Sequence, residues 1–311
     1  MVQLPEKATV PTMYFIGVTT TKSSIMSLFP KWSKVLGFSN AVLKGIDLEI
    51  HADPSEYRKV VEFIKNDELS LGALVTTHKI DLYEAAKDLF DEMDNYAKMF
   101  GELSCISKQQ GKLYGHAKDP ISSGLALERF IPENYWSDNK GEALLLGAGG
   151  SAIAISSYLM NDAKGKNIPK RLIITDMNKK RLDEIKHILT DINPHANVEY
   201  HLISSTEEND LLLQSLPENS LIINATGLGK DRPGSPLSDS AKFPANSYVW
   251  ELNYRGKRDF MHQAIAQEKK SNLQVEDGWI YFLHGWTQVI AEVFHLTIEG
   301  EVFQQIEKIS K

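Results

Sequence analysis

The chain has 311 residues, enough for about two domains, with the hydrophobic and charged fractions, 42% and 24%, of an ordinary globular protein. A net charge of -7 argues against nucleic acid as a partner, since phosphate backbones need a basic face, although a local cluster can still hold a small anion. The single cysteine, Cys105, excludes an intrachain disulfide and fits a reducing compartment, so a cytoplasmic location is expected; no stretch approaches the roughly twenty apolar residues of a membrane span, and no apolar segment behind a basic start suggests a secretory signal.

In chain order, Met13–Gly17 reads as a strand, residues 24–32 as a helix, and residues 41–50 hold a second strand around Ile46–Leu48. A helix over 56–65 leads to a third strand, Gly72–Thr76, and the apolar spacing predicts one long amphipathic helix over 80–99. Leu103–Ser107 and Lys112–Tyr114 read as a two-stranded ribbon turning at Gly111. Pro120 opens a helical stretch over 123–130 that connects to a second unit. There the runs at 142–146, 171–176, 198–203, 221–224 and 248–250 read as strands alternating with helices, the pattern of a doubly wound parallel sheet. After Gly278 the chain reads as a helix pair, with Ile290, Val293, Phe294, Ile298, Val302, Phe303 and Ile306 forming the apolar face.

The most informative run is Leu144–Leu145–Leu146 followed by Gly147, Ala148, Gly149, Gly150 and Ser151. Strand, glycine turn, helix is the setting of a dinucleotide fingerprint: Gly147 for the tight turn, Gly149 for close approach of the backbone to a pyrophosphate, and the helix N-terminus for its charge. Ala152 takes the place of the usual third glycine and still permits close packing. The next strand ends in Asp176, a carboxylate placed to accept from ribose hydroxyls and to repel the extra phosphate of NADP. Lys179, Lys180 and Arg181 follow; they either neutralise such a phosphate or face water from the first turn of the next helix. NAD is the expected preference, with NADP the alternative.

Lys79 lies just beyond a strand end and Asp119 just before a helix. Alone, each has an ordinary explanation, a solvated lysine and a helix cap. Asn253–Tyr254 and His284 are equally ambiguous alone. The nine histidines show no metal-binding spacing, so no metal is expected.

Taken in order, these pieces resemble the shikimate/quinate dehydrogenase family over nearly the whole chain. Tyr14–Gly17 with Thr21–Lys22–Ser23 is similar to its first strand and carboxylate-binding Ser-Lys-Ser turn. Gly72–Thr76 with Lys79 is similar to the segment ending in its catalytic lysine, and Leu113–Gly115 through Asp119 to the one ending in its catalytic aspartate. Gly101–Ser104, Gly147–Gly150, Asn224–Ala225–Thr226, Glu251–Tyr254 and Asp277–Gly278 through His284 fall on further motifs in the same order. The resemblance implies an α/β fold with an N-terminal substrate domain, residues 1–120, and a Rossmann-type nucleotide domain, residues 121–276. It implies that residues 277–311 return to the first domain, with the site in the cleft. It implies Lys79 and Asp119 as catalytic residues and Thr21, Ser23, Thr76, Ser104, Tyr254 and His284 as substrate-binding. Gly147, Ala148, Gly149, Gly150, Ser151, Asp176, Arg181, Asn224, Ala225, Thr226 and Gly278 would serve the cofactor.

Leu74 and Ser104 stand where the family usually has asparagines, Thr21 where it has a serine, and His284 near its glutamine. Losing two amides removes paired donors and acceptors for ring hydroxyls, so the substrate is expected to be an anionic or polyhydroxylated ring other than shikimate itself. No nucleic acid or membrane partner is expected, and a homodimer is left open. Two other readings remain: an enzyme resembling methylene-tetrahydrofolate dehydrogenase, which fits Asn253–Tyr254 and Asp277–Gly278 less well, and a nucleotide-sensing regulator, which has no use for a proton-transfer pair.

Overall fold

The computed structural model describes residues 2–230 and 232–311. The chain divides into two compact units, Met1–Lys118 with Gly285–Lys311, and Asp119–His284.

The first unit carries β1 (Thr12–Gly17), α1 (Ile25–Val35), β2 (Val42–Asp47), α2 (Pro54–Asn66), β3 (Ser70–Val75), α3 (Lys79–Ala86), β4 (Glu92–Met93), α4 (Asn95–Phe100), β5 (Cys105–Gln109) and β6 (Lys112–His116). Its sheet runs β2-β1-β3-β5-β6-β4 among the described residues. β1 is parallel to β2 and β3, and every one of its residues is buried, which is why Met13–Gly17 reads as an unbroken apolar run. β5 is antiparallel to both β3 and β6, so the ribbon expected at Gly111 is part of the sheet.

The long helix expected over 80–99 is not formed; the chain breaks into α3, β4 and α4. Asp91 is tied to the β6 edge, its N–H donating to the Leu113 carbonyl at 2.9 Å and its carboxylate accepting from the Leu113 N–H at 2.8 Å. Asp94 then caps α4, its carboxylate accepting from the Ala97 N–H at 2.7 Å. Two local polar demands outweigh the apolar periodicity.

The second unit carries α5 (Asp119–Leu127), α6 (Tyr135–Asn139), β7 (Ala143–Leu146), α7 (Gly150–Leu159), β8 (Leu172–Asp176), α8 (Lys179–Ile192), β9 (Val198–Leu202), α9 (Thr206–Gln214), β10 (Leu221–Asn224), β11 (Tyr248–Glu251), α10 (Asp259–Ile265), α11 (Glu268–Ser271) and β12 (Gln274–Glu276). Its sheet is parallel throughout, in the order β12-β11-β10-β7-β8-β9. Leu144, Leu146, Ile173, Ile222 and Val249 enter one core with Leu213, Phe243 and Phe260. Their neighbours Leu145, Ile174 and Ile223 are equally buried, so both faces of the sheet are covered, as a doubly wound layer requires.

α12 (Trp279–Phe294) straddles the division between the units, and α13 (Gly300–Ser310) follows. Within the first unit, Phe294 stacks on Phe38 at 3.8 Å, Trp286 meets Phe15 edge-on at 4.9 Å, and the Trp32 indole donates to Ser310 Oγ at 2.8 Å. Lys118 pairs with Glu292 at 2.5 Å. Among the described residues no helix is long and apolar enough to cross a membrane, and no group of three potential metal ligands assembles.

Candidate active site

In the first unit the candidate residues gather where β1 and β3 end. The turn after β1 is pinned by Asp47 at the tip of β2, whose Oδ1 accepts from the Thr20 N–H at 2.9 Å and the Thr20 hydroxyl at 2.6 Å. This leaves Thr21 exposed and Ser23 half-buried beside it. The residue that fixes the turn, Thr20, was not singled out by the sequence, because its partner lies 27 residues away.

Thr76 is the first residue past β3; its N–H and hydroxyl both bond the Ile16 carbonyl, at 3.0 and 3.2 Å. Lys79 opens α3 and is half-buried, its carbonyl accepting from the Leu103 N–H at 3.1 Å. The preceding His78 is fully buried, with Nδ1 3.1 Å from the Tyr57 hydroxyl. That hydroxyl also donates to Asp81 at 3.3 Å, so one tyrosine ties the residues on both sides of Lys79. Burial holds the His78 imidazole below its ordinary value and pushes the Tyr57 phenol up to about 12. Ser104 is buried, and its Oγ accepts the Lys118 N–H at 2.7 Å. Leu74, also buried, pairs with Cys105 across the sheet.

In the second unit Asp119 is the first residue of α5. The glycine turn joins β7 to α7. Gly147 has φ +104°, and a Cβ there would lie 2.9 Å from the backbone of Ala225, so the turn needs glycine both for its conformation and for its close neighbour. Gly149 is the N-cap of α7 and makes no side-chain cap bond; the helix start is therefore left to backbone donors and the dipole, the arrangement that suits a pyrophosphate.

Asp176 stands at the tip of β8 with Oδ2 accepting from the Ala148 N–H and Oδ1 from the Asn178 N–H, both at 2.8 Å. Two backbone donors hold the carboxylate in place beside the turn. The three basic residues that follow separate. Lys179 pairs with Asp183 at 3.1 Å and Lys180 with Glu184 at 3.8 Å, both along the surface of α8. Arg181 instead lies over the turn, its guanidinium 3.2 Å from where a Gly149 Cβ would be.

At the ends of β10 and β11, Asn224 Oδ1 accepts from the N–H and hydroxyl of Thr226 at 3.1 and 2.7 Å. Gly278 has no room for a side chain, since a Cβ would sit 2.0 Å from the Leu252 carbonyl oxygen. Tyr254 packs on Phe282 at 4.6 Å and near Trp279 at 5.8 Å, with Lys230 5.8 Å above its ring. His284 is buried in α12.

The second unit thus has the turn, uncapped helix and anchored carboxylate of a Rossmann-type layer, and the first unit carries a separate α/β sheet. No family model matches the chain. It is similar to the shikimate dehydrogenase (NADP(+)) of Lactococcus lactis subsp. cremoris, 24% identical over 245 residues, which are 78% of this chain and 79% of that relative. It is also similar to the shikimate dehydrogenase (NADP(+)) of Salinibacter ruber, 32% identical over 203 residues, 64% of this chain and 65% of that relative. Among solved structures, the quinate dehydrogenase of Corynebacterium glutamicum in complex with NAD aligns over 96% of this chain and 98% of its own, with a TM-score of 0.76 and 17% identity, a likeness of fold. The chain is thus similar in sequence to shikimate dehydrogenases and in fold to a quinate dehydrogenase.

Proposed function

We propose that the chain is an NAD(P)-dependent oxidoreductase that interconverts a secondary alcohol and a ketone on a small carbocyclic acid or cyclitol. The observation that carries this reading is the presence of Lys79 at the start of α3 and Asp119 at the start of α5 on the fold shared with these dehydrogenases. A binding protein has no need of that pair. The relatives' names, shikimate and quinate dehydrogenases, support the same class and do not favour the folate-enzyme or regulator alternatives.

When bound, the nicotinamide supplies the hydride chemistry. The alcohol must lose its hydroxyl proton as the carbonyl forms. In this reading Lys79 takes that proton and Asp119 orients and shares it. Thr21 and Ser23 hold a carboxylate by hydroxyl and backbone donors, and Thr76, Ser104, Tyr254 and His284 contact the ring. Gly147, Ala148, Gly149, Gly150 and Ser151 would hold the pyrophosphate, and Asn224, Ala225, Thr226 and Gly278 would contribute to the same cofactor site. Thermal shift with NAD and NADP, followed by reduced-cofactor absorbance on a panel of ring acids and cyclitols, tests the reading; no shift with either cofactor and no turnover would overturn it.

NAD is the proposed preference, although the curated relatives' names specify NADP(+). The support is Asp176: held by two backbone N–H groups, its charge cannot swing away from an added phosphate. Arg181 over the turn offsets this only in part. Asp176→Asn is expected to shift the ratio of specificity constants toward NADP by about tenfold, the scale of one partly screened charge interaction. A wild-type preference for NADP would refute the assignment.

The substrate is proposed to differ from shikimate. A buried leucine at position 74 and a Ser104 hydroxyl already accepting from Lys118 leave fewer polar partners for ring hydroxyls, and a site with unmatched polar groups discriminates strongly. Shikimate is expected to be a poor substrate beside a deoxy-, amino- or otherwise modified ring acid. A specificity constant for shikimate near 10⁵ M⁻¹s⁻¹, within the roughly 10⁴–10⁸ range of efficient enzymes, would contradict this.

A further inference from the structure

Glu251, at the end of β11, is 0% exposed. Its Oε1 accepts from the Asn253 N–H and its Oε2 from the Asn224 amide, both at 2.9 Å. Asn224 sits directly across from it in the β10–β11 ladder. Both asparagines extend the network to one carbonyl, that of Leu228, at 3.3 Å from Asn224 and 2.9 Å from Asn253. The loop that Leu228 closes, 225–228, begins with the Ala225 backbone seated against Gly147, and its Thr226 is tied back to Asn224. One buried carboxylate therefore organises the loop that rests on the glycine turn.

We propose that Glu251 is a positioning residue for the cofactor, holding the 225–228 loop against the glycine turn and acting through Asn224 and Asn253. The proposal rests on the nucleotide-binding reading above. Two donors face the carboxyl and the ionised form accepts from both; the protonated form must turn an O–H toward one of them, which loosens the network. The charged group facing it is the Arg258 guanidinium, itself paired with Asp277 at 2.8 Å. Burial lifts the Glu251 carboxyl to about 7, so the change falls in the neutral range.

The two consequences run in opposite directions. The folded-state value lies above that of an unfolded glutamate, so the stability linked to this group is full below about pH 4.5 and is lost as pH rises from there through about 7. Cofactor affinity should instead rise over the same interval, as the ionised form tightens the loop. A group with a merely structural role would move both together.

The test is fluorescence titration with NADH, whose pyrophosphate does not titrate in this range, between pH 6 and 8, with thermal unfolding measured in parallel. Wild-type affinity is expected to rise with pH while the melting temperature falls. Glu251→Gln, which puts a donor against a donor, should flatten the affinity profile and bind NADH about tenfold more weakly at pH 8, the size of one charge-assisted hydrogen bond. Wild-type affinity that is flat or falls with pH overturns the proposal even if the variant does not fold, and so does a folded variant with wild-type affinity at pH 8. If the wild type binds neither NADH nor NADPH at any pH, the nucleotide-binding reading itself has failed.

Discussion

Lys79→Ala is expected to lower turnover by about two to four orders of magnitude, the usual range for a general acid–base group, with cofactor affinity unchanged. The two halves of this expectation have separate grounds. Turnover falls because alanine cannot take the hydroxyl proton. Affinity stays because the glycine turn and Asp176 belong to the other unit. The fold should tolerate the change. Lys79 is the first residue of α3, alanine is the best helix former, and the bond from the Leu103 N–H goes to the Lys79 backbone carbonyl, which alanine keeps. Lys79→Arg should not restore activity, because a guanidinium does not release its proton near neutral pH and so cannot cycle. Asp119→Asn should follow the same pattern as Lys79→Ala. Steady-state kinetics on the best substrate from the ring-acid panel, with NADH titration alongside, provides the check. Turnover within tenfold of wild type in Lys79→Ala would remove the lysine from the mechanism.

Some of this was open to a reader of the sequence, for physical reasons visible in particular elements. Strands buried on both faces are continuous apolar runs, so Leu144–Leu146, Leu221–Ile223 and Tyr248–Trp250 stand out in the text. Strands β4 and β12, two and three residues long, carry no such run and pass unnoticed. The break in the 80–99 helix depends on β6, which follows it in the chain, so local periodicity misleads there. The basic trio after Asp176 could be sorted only by the helix: i,i+4 partners draw Lys179 and Lys180 to the surface, and Arg181 is left to lie over the turn. Glu251 is the sharpest case. An acid that closes an apolar strand looks like a solvated end, and only the pairing of β10 with β11 buries it between two asparagines.

The glycine turn allows the sharpest separation of two neighbouring residues. Gly147→Ala should weaken cofactor binding by about a hundredfold, whereas Gly149→Ala should weaken it by about tenfold at most. At Gly147 the backbone has φ +104°, a region that costs a residue with a Cβ about 1–3 kcal/mol. The added methyl would also lie 2.9 Å from the Ala225 carbonyl carbon and oxygen and 3.1 Å from the Thr226 nitrogen. These are backbone atoms with little freedom to retreat. The Ala225 N–H is bonded to the Leu146 carbonyl at 2.8 Å, and the Gly147 N–H to that of Thr175, also at 2.8 Å. Either the turn or the 225–228 loop must move, and both belong to the proposed cofactor site. Gly149 differs on each count. Its φ is -80° with extended ψ, an ordinary conformation, and its new Cβ would meet only the far end of Arg181 at 3.2 Å, a flexible group that can swing aside. Its loss of affinity should therefore come from the displaced guanidinium and be matched by Arg181→Ala. NADH and NADPH titrations of the three variants, with thermal unfolding to confirm folding, distinguish the cases. Equal losses at 147 and 149, or none at 147, would mean that the phosphates do not lie on this turn.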